Sequence, residues 1–360
     1  MAGSSRSIHL GLALAVTSLL PLAVAFAPRW QGQPPCRIGP GARCAGADLS
    51  GRDLARANLR RADLRGARLV GTDLEEADLR QADLHGATLI GVDLARARLQ
   101  GSRLGEALLL SCDLESADLG GADLRGARLD GNDLESARLS WSLLRGAQLR
   151  GVDLESADLS GSDARGADFS GANLGRARLV AGRFESALLE GANLASARLE
   201  RARLAGADLR HAHLGRRRIG ATPPDGSRPA IGVGQAGGAD RSSAQGPGAS
   251  EPAAVGAEPD ADDGGVGALL VDTDFTGADL RWSDLTGVVM LRGSLRQARL
   301  EGARTQGSRW LDVAFGATRC PDGVRRSVAC SGFLVPSAGV ERSRAEARVA
   351  WLRSRSWPED

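Results

Sequence analysis

Hydrophobic positions recur every five residues along most of this 360-residue chain. From Leu49 to Leu214 there are 34 consecutive five-residue units, and 31 of them have leucine at the central position, here called i. Position i−2 is alanine in 24 of these units. A helix would spread every fifth residue around its surface, and a plain strand alternates with a period of two. Only positions i−2 to i alternate inward, outward and inward, so the other two positions must turn the chain.

A second period, of 20 residues, lies over the first. Around Leu49, Leu69 and every twentieth residue to Leu209, position i−2 is always alanine. In the column that begins at Leu54, the same position varies and includes Thr72. The substitutions therefore separate with a period of four units. We expect four units to make one coil with four distinguishable faces.

Tandem units of the form A-(D/N)-L-x-x resemble the pentapeptide-repeat family, and the resemblance covers about two-thirds of the chain. It implies an all-β fold, a right-handed quadrilateral parallel β-helix with four pentapeptides per coil. Positions i and i−2 then point inward, and the other three point outward. With a strand spacing of ~4.8 Å, the main run of repeats predicts a rod of roughly 40 Å.

The ends of the repeat and one interruption divide the chain. The interruption is rich in glycine, proline and alanine and has too few large apolar residues to bury a core. The second run of repeats either continues the same rod or forms a separate short stack. The predicted divisions are a signal peptide (1–25), an N-terminal segment with a disulfide cap (26–46), the β-helix (47–219), a disordered insertion (220–268), further repeats (269–317), and a disulfide loop with a C-terminal capping helix (318–360).

The N-terminal segment predicts export to the periplasm or the cell exterior. A weakly basic start, an apolar run and the motif Ala23-Val24-Ala25 are typical of a cleaved signal peptide. The alternative is an uncleaved membrane anchor through residues 8–27, since about 20 apolar residues can span a bilayer.

Cysteine placement agrees with export. Cys36 and Cys44 flank the start of the repeats, and Cys320 and Cys330 follow their end. Two close pairs in an exported chain predict two disulfides. Cys112 is left over inside the repeat, where we expect a buried, unreactive thiol.

Composition limits the chemistry. The chain has no lysine, and its 46 arginines and 44 acidic residues give a net charge of +2. This balance argues against duplex DNA as a partner. The absence of lysine excludes Schiff-base chemistry and a P-loop. The four histidines lack further zinc ligands at a suitable spacing, and no catalytic triad stands out. We therefore expect no enzyme, no cofactor and no metal.

Two charged columns are candidate interaction surfaces. Along the column that begins at Leu54, position i−1 forms an acidic stripe that would dock a basic partner or Ca²⁺. Its members are Asp53, Asp73, Asp93, Asp113, Asp133 and Asp153. The alternative is that these aspartates hydrogen-bond to the backbone of their own turns. A basic patch follows toward the other end, as a site for a polyanion or as a solvated face. Its members are Arg178, Arg183, Arg198, Arg203 and Arg218.

These observations predict a monomeric, exported, non-enzymatic scaffold whose flat faces bind a protein or an anionic envelope polymer. Nucleic acid is not expected as a partner, because the basic patch lacks base-stacking aromatic residues. Two alternatives stay open. The family resemblance implies that the chain could mimic DNA, since some quinolone-resistance members resemble B-DNA in shape and charge and bind DNA gyrase. A membrane-anchored regulator would follow if residues 8–27 were retained.

Overall fold

The computed structural model describes residues 36–215, 267–326 and 330. Contacts divide the chain into two units, residues 1–36 and 37–360, and Cys36 is the one described residue of the first. The second unit winds into a parallel β-solenoid of about 10 turns. No helix in the described part of the chain is long and apolar enough to cross a membrane. The predicted signal peptide or membrane anchor and the C-terminal capping helix lie outside the described residues.

Successive coils pair at an interval of 20 residues, as in Asp53 with Asp73 and Asp73 with Asp93. Four pentapeptides therefore make one coil, and the predicted right-handed quadrilateral β-helix is confirmed. We name the four faces in chain order by their first central residue. Face 1 starts at Leu49, face 2 at Leu54, face 3 at Leu59 and face 4 at Leu64.

Within the described residues, continuous strands are short and occur in three places. Face 1 carries a parallel sheet of β1 (Arg68–Val70), β2 (Thr88–Ile90) and β3 (Leu108–Leu110). Face 3 carries a parallel sheet of β4 (Leu269–Val271), β5 (Val289–Leu291) and β6 (Arg309–Leu311). In the last unit, β7 (Thr318–Arg319) pairs antiparallel with β8 (Arg325–Arg326), which follows it. Elsewhere the faces are joined by single bridges at position i−1.

Backbone hydrogen bonds hold each coil to the next, and the unit centred on Leu134 shows the pattern. The N–H of Leu134 donates to the carbonyl of Asp153 at 2.8 Å, and the N–H of Ser136 donates to the carbonyl of Glu155 at 2.9 Å. The N–H of Ala137 closes the turn onto the carbonyl of Leu134 at 3.0 Å. In this unit, only the N–H of position i+1 has no backbone acceptor.

The interior is a stack of leucines faced by small residues. Leu124 and its neighbours along face 4 are fully buried, and alanine at i−2 is buried beside them. Two phenylalanines at position i occur close to Ala164, the one small central residue between Leu49 and Leu214. Phe169 lies in the next unit, Phe184 lies one coil further along the same face, and their ring centroids are 5.9 Å apart. Large residues thus restore near Ala164 the volume that a missing leucine would leave empty.

The second run of repeats continues the same solenoid. Arg198 pairs with Leu269, 71 positions later, and the other three faces show the same offset. Residues 216–266 therefore interrupt the chain without shifting the register of any face. The boundary predicted at Ile219 is wrong, because Leu270 takes the central position of that unit.

The interruption falls within a single turn. The N–H of Ala268 donates to the carbonyl of Leu214 at 2.8 Å. In an ordinary unit, the equivalent turn bond joins residues only three positions apart, as Ala212 to Leu209 at 3.0 Å. The described chain thus resumes in the position that an uninterrupted repeat would occupy.

Cysteines take inward central positions in the first and last units. Cys44 is buried at position i of the first unit, and Cys320 is fully buried at position i of the last. Cys320 forms a disulfide with Cys330, with the Cα atoms 5.4 Å apart. Cys36 and Cys44 are also disulfide-bonded. Each terminal coil therefore holds a cross-linked cysteine in place of its leucine.

We expect Leu124→Arg to lower the free energy of unfolding by at least about 3 kcal/mol, because an unpaired charge would enter a fully apolar column. Urea denaturation followed by circular dichroism measures this change. The control is Arg128→Gln, at an exposed outward side chain four residues away, which should leave the unfolding midpoint close to that of the parent. Equal effects of the two substitutions would contradict the inward and outward assignment.

Candidate functional site

The six aspartates of the acidic stripe form one continuous column on face 2. Each is bridged to the next, from Asp53 to Asp153, and the column then continues through Asn173 and Asn193. Adjacent members lie one strand spacing apart, at ~4.8 Å. The stripe predicted from the 20-residue period is therefore a single row of stacked side chains.

Each aspartate of the stripe serves its own turn. Asp133 accepts the N–H of Glu135 on Oδ1 at 2.9 Å, which is the donor that the backbone ladder leaves over. The same bond recurs at 2.9–3.1 Å throughout the stripe. Asn173 and Asn193 accept their turn N–H groups in the same way, at 3.2 and 3.1 Å. The structural role proposed for these residues is thus present at every position.

Charge compensation varies along face 2. Near its start, Arg56 pairs with Glu76 at 2.9 Å, and Arg96 pairs with Glu75 and Glu76. Toward the other end, the amide of Asn173 donates to Asp153 at 3.0 Å and to Glu155 at 3.3 Å. Both ends of the stripe therefore have donors within the same face.

The middle of face 2 holds a group of uncompensated carboxylates, which we call the central acidic cluster. It consists of Asp113, Glu115, Asp133 and Glu135. All four are exposed, and none has an arginine or histidine within 4 Å among the residues that the structure describes. Partial burial and repulsion from the surrounding carboxylates raise the pKa of Glu135. The cluster is therefore a local concentration of negative charge on a flat surface.

Beyond the stripe, face 2 changes to neutral and paired groups. Asn193 donates to Asn173 at 2.8 Å, and Nδ1 of His213 lies 3.2 Å from Asp284 in the next coil. Burial opposes the ionisation of Asp284, but hydrogen bonds from His213 and Thr286 hold its pKa well below the usual range. This histidine thus has an acidic partner along the column.

Elsewhere, aspartate at i−1 commonly pairs with arginine at i+1 of the same unit. Nε and Nη2 of Arg125 donate to Asp123 at 2.8 and 2.6 Å. The same fork joins Asp63 with Arg65, Asp78 with Arg80, and Asp208 with Arg210. In all four, the arginine hydrogen bond is the main cause that lowers the pKa of the aspartate. Each of these forks neutralises one aspartate within its own unit.

The basic patch is only partly a free cationic surface. Arg178 is in register with Arg198 on face 3, and Arg183 with Arg203 on face 4. Arg198 pairs with Glu200 at 2.8 Å, and Arg183 lies 3.8 Å from Glu185. The predicted fifth member, Arg218, lies outside the described residues. The column does not continue to it, because Leu269 occupies the position that follows Arg198.

Side chains with catalytic or metal-binding potential are scattered or buried. No group of three histidine, cysteine or acidic residues could hold a metal ion within the described ranges. Cys112 is 3% exposed, and burial raises the pKa of its thiol. Its Sγ donates to the carbonyls of Leu89 and Leu110 at 3.5 Å. The one free cysteine is thus inside the coil, as predicted.

Sequence reasoning missed two exposed tryptophans. Trp141 is 71% exposed and Trp282 is 61% exposed, each at a corner position i+2. Each indole lies over the glycine of the next coil, Gly161 and Gly302, where a Cβ atom would fall within 2.7 Å of the ring. The sequence carried a signal for this contact, because each tryptophan takes a corner position i+2 and is followed 20 residues later by glycine.

A family model described as pentapeptide repeats matches this chain in eight copies. The matches cover residues 42–81, 77–109, 107–146, 147–181, 183–216 and 266–290, which is more than half of the chain. The chain belongs to the pentapeptide-repeat family. The eight matched copies fall on both sides of the interruption, in agreement with one pentapeptide-repeat solenoid.

Solved pentapeptide-repeat structures resemble this chain. HetL, a protein involved in heterocyst differentiation regulation in the cyanobacterium Nostoc sp. strain PCC 7120, is 26% identical over 71% of this chain and 91% of its own, with a TM-score of 0.48. A trypsin-treated form of QnrB1, a plasmid-mediated fluoroquinolone resistance protein, is 16% identical over 74% and 91%, with a TM-score of 0.35. No curated protein sequence matches the chain. The likeness to these structures extends to the repeat fold alone.

The turn role of the stripe is testable at Asp133. Asp133→Ala removes the acceptor of the Glu135 N–H and should cost about 1 kcal/mol of stability. Asp133→Asn keeps that acceptor, as Asn173 does, and reduces repulsion, so it should be neutral or slightly stabilising. Urea titration measures both. An asparagine variant as unstable as the alanine variant would show that the charge, and not the turn bond, holds the residue in place.

Stability should fall in acid because of the four Asp–Arg forks. Their aspartate pKa values are lowered in the folded state, so the unfolded chain binds more protons at low pH. The contribution is complete above about pH 5, declines through the ordinary aspartate pKa, and is lost as the pH falls through the lowered values. Melting followed by circular dichroism from pH 7 to 2 should show this loss. In the variant Arg65→Gln/Arg125→Gln, the melting temperature should fall less between pH 7 and pH 2. A melting temperature of the parent that is unchanged at pH 2 would contradict the assignment.

Proposed function

We propose that this pentapeptide-repeat protein is an exported, non-catalytic scaffold that binds a basic protein surface through the central acidic cluster. The carrying observation is that this cluster is exposed and unpaired, whereas the glutamates near the start of the face pair with arginine and Asp153 near its end accepts a hydrogen bond from Asn173. A cationic partner would supply the missing compensation.

The chemistry of the cluster fits such a partner. Each aspartate uses Oδ1 for its turn, so Oδ2 remains available without loss of the fold. The carboxylates of Glu115 and Glu135 lie beside them in the neighbouring column, at position i+1. Arginine recognises such paired oxygens with two parallel hydrogen bonds. A row of like charges also accelerates encounter with an oppositely charged surface.

A protein partner is favoured over an anionic polymer. A polyanion would need free cations, but Arg198 and Arg183 of the basic patch each have a glutamate partner in their own unit. Exposed Trp141 offers a large apolar contact of the kind enriched in protein interfaces. The predicted signal peptide and the cysteine pairs support the view that this partner is met outside the cytoplasm.

The DNA-mimicking alternative has one observation in its favour, the continuous aspartate column of face 2. Its weakness is the compensation at both ends. The net charge of +2 and the arginines beside Glu75 and Glu76 interrupt the extended negative field that a DNA mimic needs. The central acidic cluster is therefore too local for this role.

The test compares two variants with equal loss of charge. The cluster variant carries Asp113→Asn, Glu115→Gln, Asp133→Asn and Glu135→Gln, and the control carries Asn at the forked residues Asp63, Asp78, Asp123 and Asp208. Tagged parent and control should retain a shared basic protein from the envelope fraction. The cluster variant should lose at least about 90% of it, and the purified complex should weaken with salt.

Two results would contradict the proposal. If both variants retained the basic protein equally, the central acidic cluster would not be its binding site. A full-length intact mass with reduced cysteines, found only in the cytosol, would contradict export. In that case, direct binding of the parent to purified gyrase becomes the relevant measurement for the alternative.

A further inference from the structure

Outward apolar side chains are buried on face 3 of the last three coils. They belong to β4, β5 and β6, at positions i−1 and i+1, which point away from the interior. We call them the apolar strip: Leu269 (4% exposed), Val271 (0%), Val289 (5%), Leu291 (3%) and Leu311 (6%). Their burial needs a cause outside the coil.

Adjacent strands do not provide that cause. Outward leucines elsewhere stay accessible, with Leu188 43% exposed and Leu143 37% exposed. Even in the parallel sheet of face 1, the stacked outward side chains of Val70, Ile90 and Leu110 are only half-buried. The same geometry on face 3 gives almost complete burial. The apolar strip is therefore covered by another part of the chain.

We propose that the C-terminal segment, residues 331–360, packs lengthwise along the apolar strip. This segment follows Cys330, which the disulfide to Cys320 fixes at the last coil. β6, the last strand of the strip, ends only nine residues before Cys320, on face 3, whereas Cys320 is on face 1, so the segment starts at the end of the rod that carries the strip. It would thus lie along the side of the rod, and not across its open end.

Composition favours this segment over the interruption. Residues 331–360 contain eight large apolar residues in 30, including Trp351 and Leu352. Residues 216–266 contain five in 51, all of them valine or isoleucine. Burial of the strip needs apolar side chains in exchange for water, and the C-terminal segment supplies them at a higher density.

Spacing agrees with the same occupant. Ala345, Val349 and Leu352 follow a helical interval, and about eight helical residues span ~12 Å. The strip covers two coil steps, ~10 Å. A short amphipathic helix would therefore match the length of the strip.

Photo-crosslinking in the full chain tests the occupant directly. A benzophenone amino acid at Val289 should crosslink to peptides from residues 331–360. The control position is Arg178, which is exposed on the same face several coils earlier, and it should give at most about a tenth of that product. Crosslinks to residues 1–35 or 216–266, to a second copy, or to nothing would each overturn the proposal.

A second measurement uses paired aspartate variants of the full chain. Leu291→Asp should release the segment and speed tryptic cleavage at Arg342, Arg344 or Arg348 at least about tenfold. Leu188→Asp, at an uncovered outward leucine, should leave that rate unchanged. Because both side chains point outward, circular dichroism should report an intact solenoid in each. Equal cleavage rates in the two variants, with the solenoid intact, would also overturn the proposal.

Discussion

The hydrogen-bonded register of 20 residues between coils governs this molecule. Once the N–H of Leu134 is bonded to the carbonyl of Asp153, each side chain is stacked on the equivalent side chain of the next coil. Inside, this stacking aligns leucine on leucine and buries them completely. Outside, it forces like charges into rows at ~4.8 Å wherever the sequence repeats them. Packing and surface electrostatics thus follow from one backbone constraint.

Two kinds of interaction accommodate this repetition of acidic side chains on the surface. Aspartate or asparagine at i−1 accepts the one N–H that the ladder leaves over, which gives an acidic side chain a structural role even in an unfavourable field. Arginine at i+1 then neutralises many of these aspartates within their own unit, as Arg125 does for Asp123. Asp113 and Asp133 of the central acidic cluster make the turn bond but have no arginine at position i+1. This difference distinguishes the cluster from the forked aspartates, such as Asp123, whose charge is neutralised within the unit.

Local pattern was enough to predict the coil, its four faces and the aspartate column, because each follows from residue spacing. It could not place the interruption, since Arg218 and Ile219 fit a further unit as well as Leu269 and Leu270 do, and only long-range pairing decides between them. The pattern also did not predict the burial of the apolar strip. Leu291 occupies the outward position i+1, and the repeat predicts burial only at positions i−2 and i. Contact with a distant segment is not encoded in a five-residue period.

The turn between Leu214 and Ala268 has a consequence for how such rods can diversify. Because the bond across the interruption matches that of an ordinary turn, the two ends of the 216–266 segment stand as close together as neighbours in one repeat. The entropy of closing a loop grows only slowly with its length. The corner between faces 2 and 3 can therefore host chain of almost any size, including a whole guest domain with adjacent termini, while the rod itself keeps its shape.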